Sequence, residues 1–123
     1  MYSAQLLDHF QNPRNPGELA DADADAKVEN PACGDVMLLS LKLSGGRIAQ
    51  ARFKCKGCVA AIACASALTE LILGKSPEEA KRVRREDLSA EVGGLPQASS
   101  HAAQLSLDTL ALALSRLPSF PPP

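Results

Sequence analysis

The sequence predicts an α+β fold, with helices packed on one face of a small antiparallel sheet and a helical C-terminal half. Three observations lead to this prediction. Residues 36–43 alternate apolar and polar side chains, as a strand does, and a turn signal at 44–47 joins them to a second alternating segment. A long apolar segment rich in small residues follows at 59–73, as expected of a buried helix. Further helix signals occupy the rest of the chain.

Length, charge and cysteine content limit the function. The chain has 123 residues and a net charge of -1, which predicts one domain at 1–117, followed by a Pro-rich disordered tail at 118–123. Scattered basic residues argue against a nucleic-acid partner. Four cysteines without a secretion signal or membrane span predict reduced thiols, used for metal or redox chemistry, in the cytoplasm.

The N-terminal quarter contains one clear helix signal. Ser3 is expected to cap a helix that continues to about Gln11 and ends before Asn12-Pro13. The low-complexity segment Asp21–Ala26 has little to bury and predicts a solvated loop. Residues 27–30 are weakly patterned and predict a short strand.

The two central strands are expected to turn alternate side chains toward the core. In the first strand the inward set is Met37, Leu39, Leu41 and Leu43. In the second strand the inward set is Ala49, Ala51, Phe53 and Cys55. This alternation assigns Cys55 to the core.

Four helical segments are predicted after the sheet. Val59–Leu73 is expected to end at Gly74, and Ser76-Pro77 begins a third helix. A short helical piece is expected around 87–92. The last helix begins near Ser99 or Ser100, ends before Pro118, and is expected to bury one apolar stripe: Leu107, Leu110, Leu114 and Leu117.

Four side chains suited to metal binding lie where elements begin or end: Cys33, Asp35, Cys58 and His101. Two thiolates, an imidazole and a carboxylate form a reasonable ligand set for zinc, iron or an iron-sulfur cluster. Cys58 directly precedes a helix, whose dipole is expected to lower the pKa of the thiol. Sequence spacing alone does not show whether these four residues lie close together in the folded protein.

Other thiols and imidazoles have simpler interpretations. Cys55 and Cys58 form a Cys-x-x-Cys motif, which leaves open a thiol redox function, although core packing is favoured for Cys55. Cys64 lies about 120° around the helix from Cys58, so we assign it to the core. His9 is assigned a surface or packing role.

Several segments together resemble the IscU/NifU family of iron-sulfur cluster assembly scaffolds. These segments are residues 12–17, 29–35 and 53–63, and Leu95-Pro96 leading to His101. The resemblance implies a three-stranded sheet and a non-enzymatic scaffold. Such a scaffold receives sulfur from a cysteine desulfurase and iron from a donor, and passes a transient [2Fe-2S] cluster to acceptor apo-proteins. The resemblance also implies that the cluster ligands are Cys33, Asp35, Cys58 and His101.

The sequence departs from the family pattern at two places. Ala102 occupies the position at which the family usually has a third cysteine. In the family that cysteine resembles a persulfide acceptor in its role. In addition, residues 95–99 differ from the Leu-Pro-Pro-Val-Lys motif that the family uses for chaperone docking. The first departure favours an alternative, a zinc-bound regulatory partner of a cysteine desulfurase that holds no cluster. The second argues against a dedicated chaperone. The sequence leaves open which metal is physiological, and whether Cys55 or Cys64 replaces the absent ligand.

Overall fold

The computed structural model describes residues 2–31 and 34–118. Within these ranges the chain forms three strands and five α-helices. The strands are β1 (Ala24–Glu29), β2 (Val36–Ser44) and β3 (Arg47–Lys56). The helices are α1 (Ala4–Gln11), α2 (Val59–Ile72), α3 (Pro77–Ala80), α4 (Arg85–Glu91) and α5 (Ser100–Ser115). The predicted ligand Cys33 and residues 119–123 of the predicted tail lie outside the described residues.

The sheet has the strand order β1-β2-β3, and both neighbouring pairs are antiparallel. Gly45 and Gly46 connect β2 to β3 with φ values of 60° and 76°, the backbone that a tight hairpin requires and that glycine adopts without strain. Helix α2 packs against β3, and α5 packs against β1 and β2. The predicted α+β fold is therefore confirmed.

Small side chains allow α2 to lie in the middle of the core. It contacts α1, α4, α5 and β3, and most of its residues are fully buried. A helix surrounded in this way can be apolar on every side. Close packing here fixes α2 relative to β3.

Helix α1 is capped by Ser3 and is held to α2 by a buried hydrogen bond. The Ser3 side chain accepts a hydrogen bond from the Leu6 amide at 3.0 Å, which caps α1. His9 lies 2.8 Å through Nδ1 from Ser66 Oγ, and Ser66 Oγ also accepts from the Arg14 amide at 2.8 Å. The packing role predicted for His9 is confirmed, because only 6% of the residue is exposed.

The loop predicted at Asp21–Ala26 is wrong in its second half. Residues 24–26 begin β1, where Ala24 pairs with Leu41 and Ala26 with Leu39. Both alanines are buried because α5 covers this edge of the sheet. The composition of residues 21–26 predicted a loop because these residues have little apolar surface to bury. The strand forms because β2 provides hydrogen-bond partners and α5 packs over it.

The alternation of inward and outward side chains predicted for the start of β3 is also wrong. Ile48 is buried and Ala49 is exposed, the reverse of the expectation. Lys42 pairs with Gln50, but its neighbour Leu43 pairs with Ile48, so Ala49 is the extra residue of a β-bulge. Beyond the bulge Ala51 and Phe53 are buried as predicted.

The predicted apolar stripe of α5 is correct only at its centre. Leu110 and Leu114 are buried, whereas Leu107 and Leu117 are only partly covered. The buried face contains many smaller side chains: Ala102, Ala103, Ser106, Thr109 and Ala113. Small residues let α5 approach the sheet closely. No helix in the described part of the chain is long and apolar enough to cross a membrane.

Candidate metal centre

The end of the β2-β3 ladder determines where Asp35 lies. Val36 pairs with Lys56, so the next positions along the ladder, Asp35 and Gly57, oppose each other. The Asn30 amide donates to the Asp35 carbonyl at 2.7 Å, and the Gly34 amide donates to the Asn30 carbonyl at 2.7 Å. Gly34 has a φ of 75°, a conformation that side chains other than glycine rarely adopt.

Gly57 makes room for the Asp35 carboxylate. A Cβ atom at this position would lie 2.7 Å from Asp35 Cγ and 2.9 Å from Oδ1, inside van der Waals contact. Gly57 has no donor side chain, so its part in the site was not predicted. The signal was its place directly before Cys58, but its partner Asp35 is revealed only by strand pairing.

Cys58 is the N-cap residue of α2. Its Sγ accepts a hydrogen bond from the Ala61 amide at 3.4 Å, and the residue is exposed. Partial burial of the thiol raises the pKa of Cys58, as does the nearby Asp35 carboxylate, and these effects outweigh the Ala61 amide, which lowers it. The start of α2 therefore lowers the pKa of Cys58 as expected, but the net pKa is raised because burial and Asp35 outweigh this effect.

His101 lies in the first turn of α5 and comes close to Cys58. Its Nε2 is 3.9 Å from Cys58 Sγ. Ligands on one tetrahedral zinc ion lie roughly 3.6 Å apart at ordinary Zn–S and Zn–N bond lengths. The two side chains therefore need little movement to share an ion.

The structure brings three of the four predicted ligands together. One ligand atom each from Asp35, Cys58 and His101 can be chosen so that all three lie within 4.8 Å of one another. Asp35 is buried, whereas Cys58 and His101 are exposed. The group therefore has a fixed inner oxygen and an outer side open to solvent.

Asp35 contributes a buried carboxylate oxygen to the site. Only 7% of the residue is exposed, and its Oδ2 makes no hydrogen bond within the described residues. A buried carboxylate oxygen without a partner is energetically costly. A bound cation would remove that cost, so the donor set fits a metal.

The two remaining described thiols are less accessible. Cys55 is half-buried, and burial, with a smaller effect of Asp35 and Cys58, raises its pKa to about 12. Cys64 is fully buried, and burial raises its pKa to about 12 as well. Thiols that stay protonated at neutral pH are poor nucleophiles, which disfavours the redox interpretation of the Cys-x-x-Cys motif.

Known proteins match the chain over most of its length. The family model described as NifU-like N terminal domain matches residues 1–120. The iron-sulfur cluster assembly scaffold protein IscU 1 of Archaeoglobus fulgidus is 44% identical over 114 residues, which cover 93% of this chain and 74% of that protein. The scaffold protein IscU of Escherichia coli K12 is 40% identical over 118 residues, covering 93% of this chain and 91% of that protein.

A solved structure supports the fold independently. The crystal structure of the N-terminal part of a NifU-like protein from Brucella abortus superposes with a TM-score of 0.75 at 21% sequence identity. The match covers 94% of this chain and 92% of that one. At this identity the likeness is evidence for the fold alone.

Proposed function

This chain belongs to the NifU-like N-terminal domain family, and on that premise we propose that it is a scaffold for iron-sulfur cluster assembly. The observation that carries the proposal is the convergence of Asp35, Cys58 and His101 within 4.8 Å. The relatives named as iron-sulfur cluster assembly scaffolds support it.

We propose that Cys33, Asp35, Cys58 and His101 hold the cargo, which is iron or a [2Fe-2S] cluster; zinc is expected in the isolated protein. Cys33 enters on the sequence resemblance. The two thiolates match the soft iron-sulfide core, and His101 supplies a nitrogen. Asp35 supplies an oxygen at a buried position for which Gly57 leaves room.

The asymmetry of the site suits temporary binding. A carboxylate oxygen is a poorer match than a thiolate for an iron-sulfide core, so the bond to Asp35 is the easiest to break. The exposed side chains of Cys58 and His101 leave one side open to another protein. Asp35→Ala is therefore expected to slow transfer of the cluster to an acceptor apo-protein, and unchanged or faster transfer contradicts this assignment.

The proposed partners are a cysteine desulfurase, an iron donor and acceptor proteins, with the cytoplasm as the compartment. The scaffold is proposed to carry cargo without catalysing a reaction. Ala102 beside His101 has no donor atom and is fully buried. The proposed site therefore works without a thiol at that position, and sulfur enters through the other cysteines.

Anaerobic reconstitution with ferrous iron, cysteine and a cysteine desulfurase tests the proposal. Visible absorption and analysis of iron and sulfide are expected to show near-stoichiometric cluster on the wild type and little on Cys58→Ser. If the wild type holds only zinc while Ala102→Cys acquires a cluster, the proposal fails. The zinc-bound regulator of a desulfurase is then the better description.

A further inference from the structure

The inner face of the sheet places a further thiol beside the buried carboxylate. Cys55 pairs with Met37 across the β2-β3 ladder, and Asp35 lies two positions before Met37. Cys55 and Asp35 are therefore diagonal neighbours on the same face, a relation in which Cα atoms lie about 7–8 Å apart and side chains reach each other. Gly57, the residue opposite Asp35, adds no side chain between them.

The carboxylate itself indicates that a ligand is expected here. Asp35 is more than nine-tenths buried, and its Oδ2 has no hydrogen-bond partner within the described part of the chain. The Asp35 charge is among the causes that raise the pKa of Cys55, which agrees with their closeness. Cys55 is half-buried, so its thiol lies between the core and the site.

Cys55 is not part of the three-residue group formed by Asp35, Cys58 and His101. Its thiol adjoins the site from the Asp35 side, at the end of β3. This position suits a residue that replaces Asp35 better than one that binds together with it.

We propose that Cys55 is an alternative ligand of the site and takes the metal position of Asp35. The proposal rests on the proposed function and extends it. In the exchange the bond from iron to the carboxylate breaks and a bond from iron to the Cys55 sulfur forms. The thiol proton passes to the departing carboxylate, and no electron is transferred.

The exchange gives the scaffold two binding states. When Asp35 binds the iron, its hard oxygen holds the cargo weakly, so the cargo is released easily. With Cys55 bound, an added thiolate holds soft iron more tightly. Cys55 therefore converts a transfer site into a storage site, and its removal shortens the lifetime of bound cargo.

Cobalt binding tests this inference without any cluster chemistry. Thiolate ligands give Co²⁺ a near-ultraviolet charge-transfer absorption that grows with their number. Co²⁺ is titrated into the wild-type chain, Asp35→Ala, the double variant Asp35→Ala/Cys55→Ala and the matched control Asp35→Ala/Cys64→Ala. The control removes a thiol that is fully buried on α2. Circular dichroism verifies that each variant is folded.

The expected result is a gain of one thiolate contribution in Asp35→Ala, lost when Cys55 is also replaced and kept when Cys64 is replaced. Equal spectra for Asp35→Ala and its Cys55→Ala double variant overturn the inference. Because Co²⁺ needs no desulfurase, a Cys55-dependent band in Asp35→Ala, together with a wild type that assembles no cluster, refutes only the proposed function. A wild type that assembles cluster, together with no Cys55-dependent band in Asp35→Ala, refutes only the exchange.

Discussion

Replacing Gly57 by alanine is expected to push Asp35 out of place. The new Cβ would lie 2.7 Å from Asp35 Cγ, 2.9 Å from Oδ1 and 3.0 Å from Cβ. Non-bonded carbons rest about 3.5–4.0 Å apart, so the carboxylate must move by roughly 1 Å. Gly57 is not among the residues with positive φ, so alanine can adopt its backbone and the effect is steric.

The magnitude follows from the burial of Asp35. Forcing extra volume into a packed site costs about 1–3 kcal/mol, which urea denaturation of the metal-free protein measures as a lower free energy of unfolding. Zinc affinity, measured by competition with a chelator, is also expected to fall, because Asp35 leaves the group that spans 4.8 Å.

A double-mutant cycle isolates the contact. In an Asp35→Ala background the Cγ and Oδ1 atoms are absent and only the 3.0 Å contact to Cβ remains. Gly57→Ala should then cost much less, with a coupling free energy in the range of about 0.5–3 kcal/mol. An equal cost in both backgrounds would refute the reasoning, since the strain would then come from elsewhere.

Three further predictions concern other parts of the molecule. Ser76→Ala removes the hydrogen bond that the Glu79 amide donates to Ser76 Oγ at the start of α3 and should lower the free energy of unfolding by about 1 kcal/mol; an unchanged urea midpoint contradicts this. Iodoacetamide should modify exposed Cys58 well before buried Cys64, as peptide mass analysis would show, and zinc should protect Cys58; equal rates would exclude this burial order. Burial lowers the pKa of His9 below 6.5, so the folded state disfavours the charged imidazole. The stability that the neutral His9 contributes is therefore complete above pH 6.5 and is lost as the pH falls toward the folded-state pKa. His9→Gln should reduce this loss in urea denaturation, whereas parallel pH profiles would argue against it.

Short-range signals predicted most of the secondary structure. The Ser3 cap, the Gly45-Gly46 hairpin and the Ser76 cap are each set by a few neighbouring residues, and all three occur as expected. Periodicity then separated strands from helices. The fold class could be predicted because these local preferences agree with one another.

The errors arose where a distant segment decides the local structure. Ala24 and Ala26 are buried because α5 covers them, although their own sequence indicates a loop. The bulge at Ala49 reflects the ladder formed with β2. Neither feature has a signal in the adjacent sequence, because burial and register depend on which elements pack together.

The sequence by itself determined which chemical groups the site contains: the thiol of Cys58, the imidazole of His101 and the carboxylate of Asp35. Only the tertiary structure decided that they meet within 4.8 Å, that Gly57 leaves room for Asp35, and that the pKa of Cys58 is raised. The physical reason is that side-chain chemistry belongs to a residue. Distance, burial and electric field depend on the residues that folding brings beside it.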